Sequence, residues 1–575
     1  MSFGKLLRKY RVRYTTIMNL DTLKPVFQGD IATDAATRAA YAHDASLFEV
    51  MPQAVVFPRD AEDIKNLVKW ANEQNTPPTP SNRGGAEHRN ISLTVRAAGT
   101  CMSGGSLNDS VIIDVTRYMN RLISITDDAA VMQPGLLYRD LETETLDRGR
   151  MMPAYTASKN ICATGGMFGN NAGGEKSIKY GKMENYILET KVVFSDGNEY
   201  VVKPLSRDAL DAKIAQGDFE GGIYKSLLET IEKNYDAIKN AQPKVSKNSA
   251  GYYLWNVWDK DTGVFDLNKL LVGSQGTLGI VTEMTWKLVP VAPVSNVLAI
   301  YMNSIDRVGD LAKTLVSFRP ESIESFDDYS LRLAFTFFFD FLKQMGLWRF
   351  VKLGIAMIPD GIKILRGGMP KLTVLVEVTG ESEGGVTEKL GLIEAAVKKQ
   401  FGYETHSARN SSEAEKYWRI RRESFNLLRK HVKGARTAPF IDDIIVPPDV
   451  LPEFMPKIKT LLDDAHITYT IAGHVGNGNF HIIPLMDMRK PENKALILAL
   501  SDKVYDLVLS YGGSITAEHN DGIVRTPYLE KMYGPFITGL FKFTKTLFDP
   551  KNIFNPGKKV GDTKDYLREH IKIEK

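Results

Sequence analysis

Residues 95–107 read Val95-Arg96-Ala97-Ala98-Gly99-Thr100-Cys101-Met102-Ser103-Gly104-Gly105-Ser106-Leu107. These small residues, three of them glycine, lie between two apolar runs that predict strands, one ending near Val95 and one over 111–115. Such a loop exposes successive backbone N–H groups on a tight curve that can bind phosphate. Arg96 and the hydroxyls of Thr100 and Ser103 would add a charge and donors. An ordinary glycine-rich turn explains the loop equally well, so the rest of the chain must decide.

Two more loops of similar composition follow, at residues 165–174 and 273–279, and the second leads into a long predicted strand over 280–289. Glycine and asparagine tolerate left-handed backbone, which lets a loop approach a flat ligand closely. Three such loops favour one large phosphate-bearing ligand that spans all of them. The chain has no G-x-G-x-x-G motif after its first predicted strand, which argues against a dinucleotide site of the Rossmann type.

Size, charge and cysteine content exclude several classes of protein. A chain of 575 residues predicts two or more domains. The net charge of +4 and the lack of a basic tract with aromatics argue against nucleic-acid binding. The two cysteines, Cys101 and Cys162, are too few for a self-contained iron–sulfur cluster, which takes about four thiolates. We expect a reducing, cytoplasmic setting, since residues 5–13 are basic without the apolar core of a secretory signal.

The sequence past Pro293 alternates predicted strands with amphipathic helices. Helices are predicted over 386–401, 448–462 and 491–509, and together with the strands they indicate helices on one side of a largely antiparallel sheet. The Phe-rich segment 331–366 interrupts this pattern. Its apolar run is shorter than the roughly 20 residues that span a bilayer. It fits either a peripheral membrane contact, or a buried lid or homodimer face.

A second group of functional residues lies in Gly473-His474-Val475-Gly476-Asn477-Gly478-Asn479-Phe480-His481 and in Glu518-His519. A glycine turn could bring both histidines of the first motif inward. Two imidazoles and a carboxylate leave an open coordination position, as in catalytic sites for Zn²⁺ or a similar divalent ion. His519 would then lie near the metal as a general base. A hydrogen-bonded glycine turn without metal remains the alternative.

These motifs occur in order, and the tail Phe548-Asp549-Pro550-Lys551-Asn552-Ile553-Phe554-Asn555-Pro556-Gly557-Lys558 completes them. Together they resemble the FAD-linked oxidases of the vanillyl-alcohol oxidase type, in the group of glycolate oxidase, D-lactate dehydrogenase and D-2-hydroxyglutarate dehydrogenase. The resemblance implies an α+β fold: a two-part FAD-binding domain, not Rossmann, with an antiparallel-sheet cap domain. It implies an N-terminal extension (1–47), an FAD-binding domain (48–292), a substrate cap (293–510, with the apolar insertion 331–366) and a C-terminal helical segment returning to the flavin (511–575).

The resemblance also implies roles for single residues. The candidate metal ligands are His474, His481 and Glu518. The candidate catalytic residues are His519 as base, Arg421 as the clamp for a substrate carboxylate, and Asn479 of the same motif as His481; a guanidinium pairs bidentately with a carboxylate. The residues implied to bind FAD are Arg96, Ala97, Ala98, Gly99, Thr100, Cys101, Met102, Ser103, Pro153, Ser158, Thr164, Gly165, Gly166, Asn171, Gly279, Ile280 and Asn555.

This sequence departs from the family pattern at several positions. Cys101 stands where serine is commoner, Gln275 where glutamate is commoner, and Asn520-Asp521-Gly522 where a plain glycine is usual. The family's D-2-hydroxyglutarate dehydrogenases use a threonine and a lysine to bind a second carboxylate. Here those places hold Phe425 and a residue near Ile441, beside Asp442 and Asp443. The departures argue against a dicarboxylate substrate.

The implied function is oxidation of a D-2-hydroxy acid, D-lactate-like, to its 2-oxo acid by hydride transfer to FAD. Electrons would then pass to an external acceptor: a quinone, a flavoprotein carrier or an iron–sulfur partner subunit. Two alternatives stay open at this point. One is a flavin oxidase or lyase of the same fold that acts on another alcohol or a lipid, and the other is a flavin subunit of an electron-transfer complex.

Overall fold

The structure is a computed structural model that describes residues 18, 20–75, 90–328, 369–410, 413–415, 417, 418, 421 and 434–573. The apolar insertion at 331–366 and Phe425 lie outside the described residues. In the described part, no helix is both long enough and apolar enough to cross a lipid bilayer.

The described residues form strands that are interspersed with helices. In order they are β1 (Asp30–Ala32), β2 (Ala54–Phe57), β3 (Leu93–Arg96), β4 (Val111–Asp114), β5 (Leu122–Ile125), β6 (Ala129–Met132), β7 (Arg150–Met151), β8 (Ile187–Val193), β9 (Glu199–Val202), β10 (Trp258–Asp259), β11 (Val264–Phe265), β12 (Ile280–Lys287), β13 (Val289–Pro290), β14 (Val294–Met302), β15 (Ser322–Asp327), β16 (Leu372–Gly380), β17 (Glu404–Ser407), β18 (Arg436–Thr437), β19 (Ile444–Ile445), β20 (Thr468–His474) and β21 (Asn479–Met486).

The α-helices of the described residues are α1 (Ala35–Tyr41), α2 (Ala61–Gln74), α3 (Tyr138–Leu146), α4 (Thr164–Asn170), α5 (Ser177–Tyr180), α6 (Arg207–Ala215), α7 (Phe219–Lys233), α8 (Tyr235–Asn240), α9 (Leu254–Val257), α10 (Asn268–Leu271), α11 (Val308–Ser317), α12 (Glu383–Phe401), α13 (Leu451–Asp464), α14 (Glu492–Ser510), α15 (Gly522–Arg525), α16 (Leu529–Phe548) and α17 (Lys564–His570). Short 3₁₀ turns cover Met183–Asn185, Pro448–Val450, Val475–Asn477 and Thr526–Tyr528.

Two sheets of four or more strands form before residue 290. The four-stranded sheet has the order β1-β2-β4-β3, with β2 and β3 both parallel to β4. The five-stranded sheet has the order β5-β6-β12-β8-β9 and is antiparallel throughout. The first glycine loop leaves β3, and the third leads into β12, so the two sheets place both loops at their ends.

The large sheet contains eight strands in the order β17-β14-β16-β15-β20-β21-β18, with β19 also paired to β21. Its pairs are antiparallel, as the sequence predicts. Helix α12 packs on this sheet through buried Val386, Leu390, Ile393 and Val397. Its start is capped by Ser382, whose side chain accepts from Gly385 N, and it ends at Gly402 with a left-handed φ of 68°.

The tail after α16 returns to the four-stranded sheet. Leu93 N donates to Ile553 O at 2.7 Å, and Asn555 N donates to Leu93 O at 2.9 Å. Asn555 is fully buried, and its side chain donates to the carbonyls of Gly105 and Gln275, each at 2.8 Å, and contacts Thr94 Oγ1 at 2.9 Å. The amide of Asn555 therefore holds the first and third glycine loops together.

The middle glycine run differs from the expected loop. Residues 164–170 form the short helix α4, and the left-handed residue in this run is Asn171, with a φ of 50° at the helix end. Glycine disfavours helices by about 1 kcal/mol per residue relative to alanine. Packing overrides this preference: Gly165 N donates to Pro134 O at 2.7 Å, and a Cβ on Gly165 would lie 2.7 Å from the same oxygen.

Candidate functional site

The glycine loops and α4 surround a cavity that is open to solvent, here called the glycine-loop cavity, and its empty volume of about 800 Å³ includes the solvent at its mouth. Its walls include Gln275 and Gly276 of the third loop, Pro134 and Phe168. The predicted cofactor residues that line it are Ala97, Ala98, Gly99, Thr100, Cys101, Gly165, Gly166 and Gly279.

Three glycines that line this cavity could carry a Cβ without a clash in the protein itself. A Cβ on Gly166, Gly169 or Gly276 would have its nearest neighbour at 3.6, 3.9 or 3.8 Å, respectively, which is ordinary van der Waals contact. Bare backbone on several sides fits a flat, phosphate-bearing cofactor such as FAD.

The other predicted cofactor residues do not line this cavity, and several of their side chains hold its walls. Thr164 Oγ1 donates to Gln133 O at 3.0 Å, and Asn171 Nδ2 donates to Glu184 at 2.8 Å. Ser158 Oγ lies 2.8 Å from Thr156 Oγ1. The Cζ atom of Arg96 lies 5.1 Å from the centroid of the Tyr41 ring. The remaining residues of this set are Met102, Ser103, Pro153, Ile280 and Asn555.

A tight turn brings the two histidines of the glycine motif together. Strands β20 and β21 pair so that His474 lies opposite Asn479, and the ring centroids of His474 and His481 are 5.2 Å apart. The turn requires Gly478, which has a left-handed φ of 74°, because a Cβ there would overlap the carbonyl oxygen of Val446. Neither a straight strand nor a helix would bring two residues seven apart this close.

The segment 514–520 places Glu518 and His519 against these rings. His474 Nε2 lies 3.4 Å from Glu518 Oε1, and the rings of His481 and His519 stack at 5.1 Å with an interplanar angle of 19°. Ligand atoms of Asp443, His481, Glu518 and His519 all lie within 4.8 Å of one another. The structure thus brings the four predicted residues His474, His481, Glu518 and His519 to one place.

Lys247 also reaches this cluster. Its side chain is fully buried, and Nζ donates to Oε1 of Glu518, the oxygen that faces His474. The two imidazoles and the carboxylate are the nitrogen and oxygen donors that Zn²⁺ and similar ions bind. The donor set fits a divalent ion, on the condition that the ion takes over the contact that Lys247 makes with Glu518.

Two buried carboxylates, Glu324 and Asp442, contact the side chains of the predicted site residues. Glu324 lies 2.5 Å from His474 Nδ1 through Oε1 and accepts from Arg421 Nε at 3.2 Å through Oε2. Asp442 lies 3.0 Å from His481 Nδ1 through Oδ1 and 2.8 Å from His519 Nδ1 through Oδ2. Glu324 therefore links the predicted substrate clamp to a predicted metal ligand.

The charges in the site shift its pKa values. Although burial disfavours a charged His519, Asp442 and Asp443 raise the pKa of its ring to about 9. Burial likewise opposes the charge of Glu518, yet Lys247 and His474 hold the pKa of its carboxyl well below its usual range. For His481 burial dominates and lowers the pKa of the ring. The two stacked imidazoles thus differ in their affinity for a proton.

Asn479 has a mainly structural environment. Its Nδ2 donates to Asp443 Oδ1 at 3.2 Å and to Ile444 O at 3.0 Å. Its Oδ1 is buried and has no hydrogen-bond partner among the described residues. A buried acceptor of this kind is uncommon and leaves one position open for a donor.

Sequence reasoning missed Lys247 and Glu324. Glu324 lies within β15, where a charged residue flanked by buried Ile323 and Ser325 signals a paired carboxylate. Lys247 lies in an irregular run, Ser246-Lys247-Asn248-Ser249, and no local pattern marks it. It is 271 residues from Glu518, so only the fold reveals their contact.

The profile of the FAD binding domain matches residues 52–203, and that of the C-terminal domain of FAD linked oxidases matches residues 292–559. Together they cover well over half of the chain, which is therefore an FAD-binding oxidoreductase by class. The chain belongs to the FAD-linked oxidases. The predicted family and its FAD cofactor are confirmed at this level.

Curated relatives support the same placement. The chain is 28% identical over 94% of its length to a protein of Pantoea ananatis named D-2-hydroxyglutarate dehydrogenase, covering 51% of that protein. It is 25% identical over 96% of its length to a D-lactate dehydrogenase of Anaerostipes hadrus, covering 99% of it. The chain spans about half the length of the first curated relatives it matches.

A solved structure of p-cresol methylhydroxylase with substrate bound superposes with a TM-score of 0.64 at 16% identity, over 97% of each chain. At this identity the likeness concerns the fold alone. It confirms the predicted α+β fold with a flavin-binding domain of the vanillyl-alcohol oxidase type.

Proposed function

We propose that this protein is an FAD-dependent dehydrogenase that oxidises a small D-2-hydroxy acid, D-lactate-like, to its 2-oxo acid. The observation that carries the proposal is the link from Arg421 through Glu324 to His474, because it sets a carboxylate-binding group beside a cluster of three imidazoles. A 2-hydroxy acid needs both: a cation for its carboxylate and a base for its hydroxyl. The names of the curated relatives favour the same substrate class.

The guanidinium of Arg421 would bind the substrate carboxylate, and its Nε is held by Glu324. This contact fixes the orientation of the guanidinium. The adjacent C2 hydroxyl would then face the histidine cluster. The side chain of Arg421 is only 11% exposed, which keeps water from competing for the charge.

His519 would accept the hydroxyl proton at Nε2, because its Nδ1 faces Asp442. With 24% of its side chain exposed, it is the most open of the three clustered histidines. Only the neutral ring can accept a proton, and a cation bound to the neighbouring ligands would oppose its protonation. The proton leaves the hydroxyl oxygen, and a C=O bond forms as the Cα–H bond breaks with its electron pair.

His474, His481 and Glu518 would hold a divalent ion, Zn²⁺ or similar. Bound FAD would supply the acceptor for the Cα hydride, and the ion would supply a Lewis acid that polarises the hydroxyl. Lys247 would release Glu518 when the ion binds. The metal-binding part of the proposal rests on the contact between His474 and Glu518, and on ligand atoms of His481 and Glu518 that lie with those of Asp443 and His519 within 4.8 Å of one another.

A small monocarboxylate is favoured over a dicarboxylate. Arg421 would already bind the first carboxylate of the substrate, and Lys247 already contacts a carboxylate of the protein, Glu518. A second substrate carboxylate would compete with these pairs. Burial opposes the charge of Asp442, yet His519 and His481 hold the pKa of its carboxyl below its usual range. The negative charge of Asp442 would repel a second substrate carboxylate.

The test is anaerobic mixing of the purified flavoprotein with D- and L-2-hydroxy acids while the flavin absorbance is followed. We expect D-lactate to bleach the flavin, with weaker bleaching by D-2-hydroxyglutarate and none by L-lactate. Bleaching by a simple alcohol or an ether lipid alone would overturn the proposal in favour of another flavin chemistry. Electrons would then pass from the flavin to an external acceptor. The acceptor, the cytoplasmic location, a homodimer and a membrane contact at 331–366 all stay predictions.

A further inference from the structure

Asp442 is a single buried carboxylate that serves two histidines. Its side chain is fully buried; Oδ1 faces Nδ1 of His481 at 3.0 Å, and Oδ2 faces Nδ1 of His519 at 2.8 Å. A carboxylate can only accept hydrogen bonds, so each ring must present its N–H through Nδ1. The Nε2 atoms of both rings are then directed away from Asp442.

The backbone holds Asp442 in this position. Asp443, the next residue, has a left-handed φ of 76°, an uncommon conformation for a residue with a side chain. Its Oδ2 accepts from the backbone N–H groups of Ala517, Glu518 and His519 at 2.9, 2.8 and 2.8 Å. Two successive aspartates therefore bind the same segment: the side chain of Asp443 binds the backbone of the segment, and the side chain of Asp442 binds the ring of His519.

Arg525 secures the same arrangement from the other side. Its guanidinium, 1% exposed, donates to the carbonyl oxygens of Ile515, Asn520 and Asp442. These contacts tie the backbone of Asp442 to both ends of the segment that carries Glu518 and His519. Neither Asp442 nor the loop can shift without breaking several buried hydrogen bonds.

We propose that Asp442 is the positioning residue that sets His481 to bind the metal ion and His519 to accept the substrate proton, so that one carboxylate keeps Nε2 of His481 available to the ion and Nε2 of His519 available to the hydroxyl. This inference rests on the proposed function. It goes beyond that proposal by coupling a metal ligand and the base through one side chain. His474, oriented by Glu324, stands outside this coupling.

The test is Asp442→Asn, because an amide has one accepting oxygen and one donating nitrogen. It can accept an N–H from only one of the two rings, and the other ring must change tautomer or turn away. The matched control is Glu220→Gln, which alters another buried carboxylate, one that pairs with Lys213 on a neighbouring helix. Asp442→Glu keeps the carboxylate and is the rescue variant.

Three readouts are compared, the first two without substrate. Nitrogen-15 spectra of histidine-labelled, metal-free protein in alkaline buffer should show that Asp442→Asn converts one ring from the Nδ1–H to the Nε2–H tautomer. Zinc affinity should fall about 10- to 100-fold, as is common when a partner of a metal-bound histidine is lost. The kcat should fall at least tenfold with KM within about threefold, and Asp442→Glu should recover part of both losses.

The outcomes separate this inference from the proposed function. If wild-type protein reduces its flavin with no hydroxy acid, the proposed function fails, while the spectra and zinc affinities still decide the role of Asp442. Unchanged tautomers and zinc affinity in Asp442→Asn would overturn the inference. An equal loss of zinc affinity in Glu220→Gln would also overturn it, because the effect would then be one of general stability. Should Asp442→Asn fail to fold, Asp442→Glu decides: zinc affinity within about tenfold of the wild type supports the inference, and a larger loss in this folded carboxylate variant contradicts it.

Discussion

Lys247 donates a hydrogen bond to Glu518 inside the protein, where the lysine side chain is fully buried and the glutamate 6% exposed. The same oxygen of Glu518 lies 3.4 Å from His474 Nε2. The lysine thus holds a positive charge beside the oxygen that a divalent ion would bind. A lysine and an ion are alternative partners for this carboxylate.

Lys247→Met should lower the apparent unfolding temperature of metal-free protein, because it removes the lysine partner of buried Glu518 and leaves the contact with His474 Nε2. Removing one partner of a buried ion pair typically costs about 3–5 kcal/mol. Added Zn²⁺ should raise the unfolding temperature of the variant more than that of the wild type, since the ion replaces the lost charge. Lys213→Met, which breaks the Lys213–Glu220 pair, is the control and should show no extra response to zinc. Equal zinc shifts in both variants would contradict the alternative-partner interpretation.

His519→Asn should slow flavin reduction by about 100- to 10,000-fold, the usual contribution of a general base. The flavin content should stay normal, because His519 does not line the glycine-loop cavity. The measurement is stopped-flow bleaching of the flavin by saturating substrate. His466→Asn is the control: His466 is exposed with a left-handed φ of 51°, which asparagine tolerates. A variant that reduces its flavin at the wild-type rate would exclude His519 as the base.

Arg421→Lys should raise KM for a 2-hydroxy acid by roughly 10- to 100-fold, because a point charge cannot pair bidentately with a carboxylate. One lost charge-assisted hydrogen bond accounts for about 1.5–3 kcal/mol. The measurement is the dependence of flavin reduction on substrate concentration. Arg489→Lys serves as control, since Arg489 is exposed and pairs with Asp487. An unchanged KM would show that the substrate carboxylate binds elsewhere.

Asn555→Ala should release FAD at a lower temperature than the wild type. The substitution leaves the buried carbonyls of Gly105 and Gln275 without this donor, and each such group costs about 1–3 kcal/mol. Flavin fluorescence during heating measures the release. Asn198→Ala, at an exposed turn where the side chain contacts Asp196, should release FAD as the wild type does. Identical release curves for both variants would show that the clamp is dispensable.

Asp562→Asn should stabilise the protein above neutral pH and have no such effect near pH 4. Burial raises the pKa of Asp562 to about 7, whereas in the unfolded chain an aspartate titrates near a pKa of about 3.9. The folded protein binds the extra proton between these values, so wild-type stability falls as pH rises from about 4 to 7. Unfolding temperatures across this range test the prediction. Asp565→Asn is the control, since the side chain of Asp565 is 77% exposed. A stabilisation by Asp562→Asn that does not change with pH would contradict the prediction.

Local patterns in the sequence predict two of the three glycine loops and most elements of the large sheet. Helix α12 was expected at 386–401 and begins three residues earlier, at Glu383, because Ser382 caps it. The run 165–174 was expected to be open backbone, and its first half instead forms α4. That helix depends on contacts with Pro134, which no pattern within the run encodes.

The candidate site likewise contains residues that the sequence predicts and residues that only the structure reveals. Motif spacing identifies His474, His481, Glu518 and His519, because glycines that permit a tight turn accompany two of them. Glu324 and Lys247 are 150 and 271 residues from the groups they contact. Contacts at such separations arise from the arrangement of sheets, which propensity and spacing do not specify.

The clamp made by Asn555 also fixes an order of events during synthesis. Asn555 is made 450 residues after Gly105, whose carbonyl it binds, and Leu93 pairs with Ile553 and Phe554 of the same tail. At about 5–20 residues per second, a ribosome needs about 20–90 s to cover that distance. Throughout this time one edge of β3 stays unpaired, and the first and third glycine loops lack the amide that holds them together. We therefore expect stable cofactor loading to follow translation of the tail.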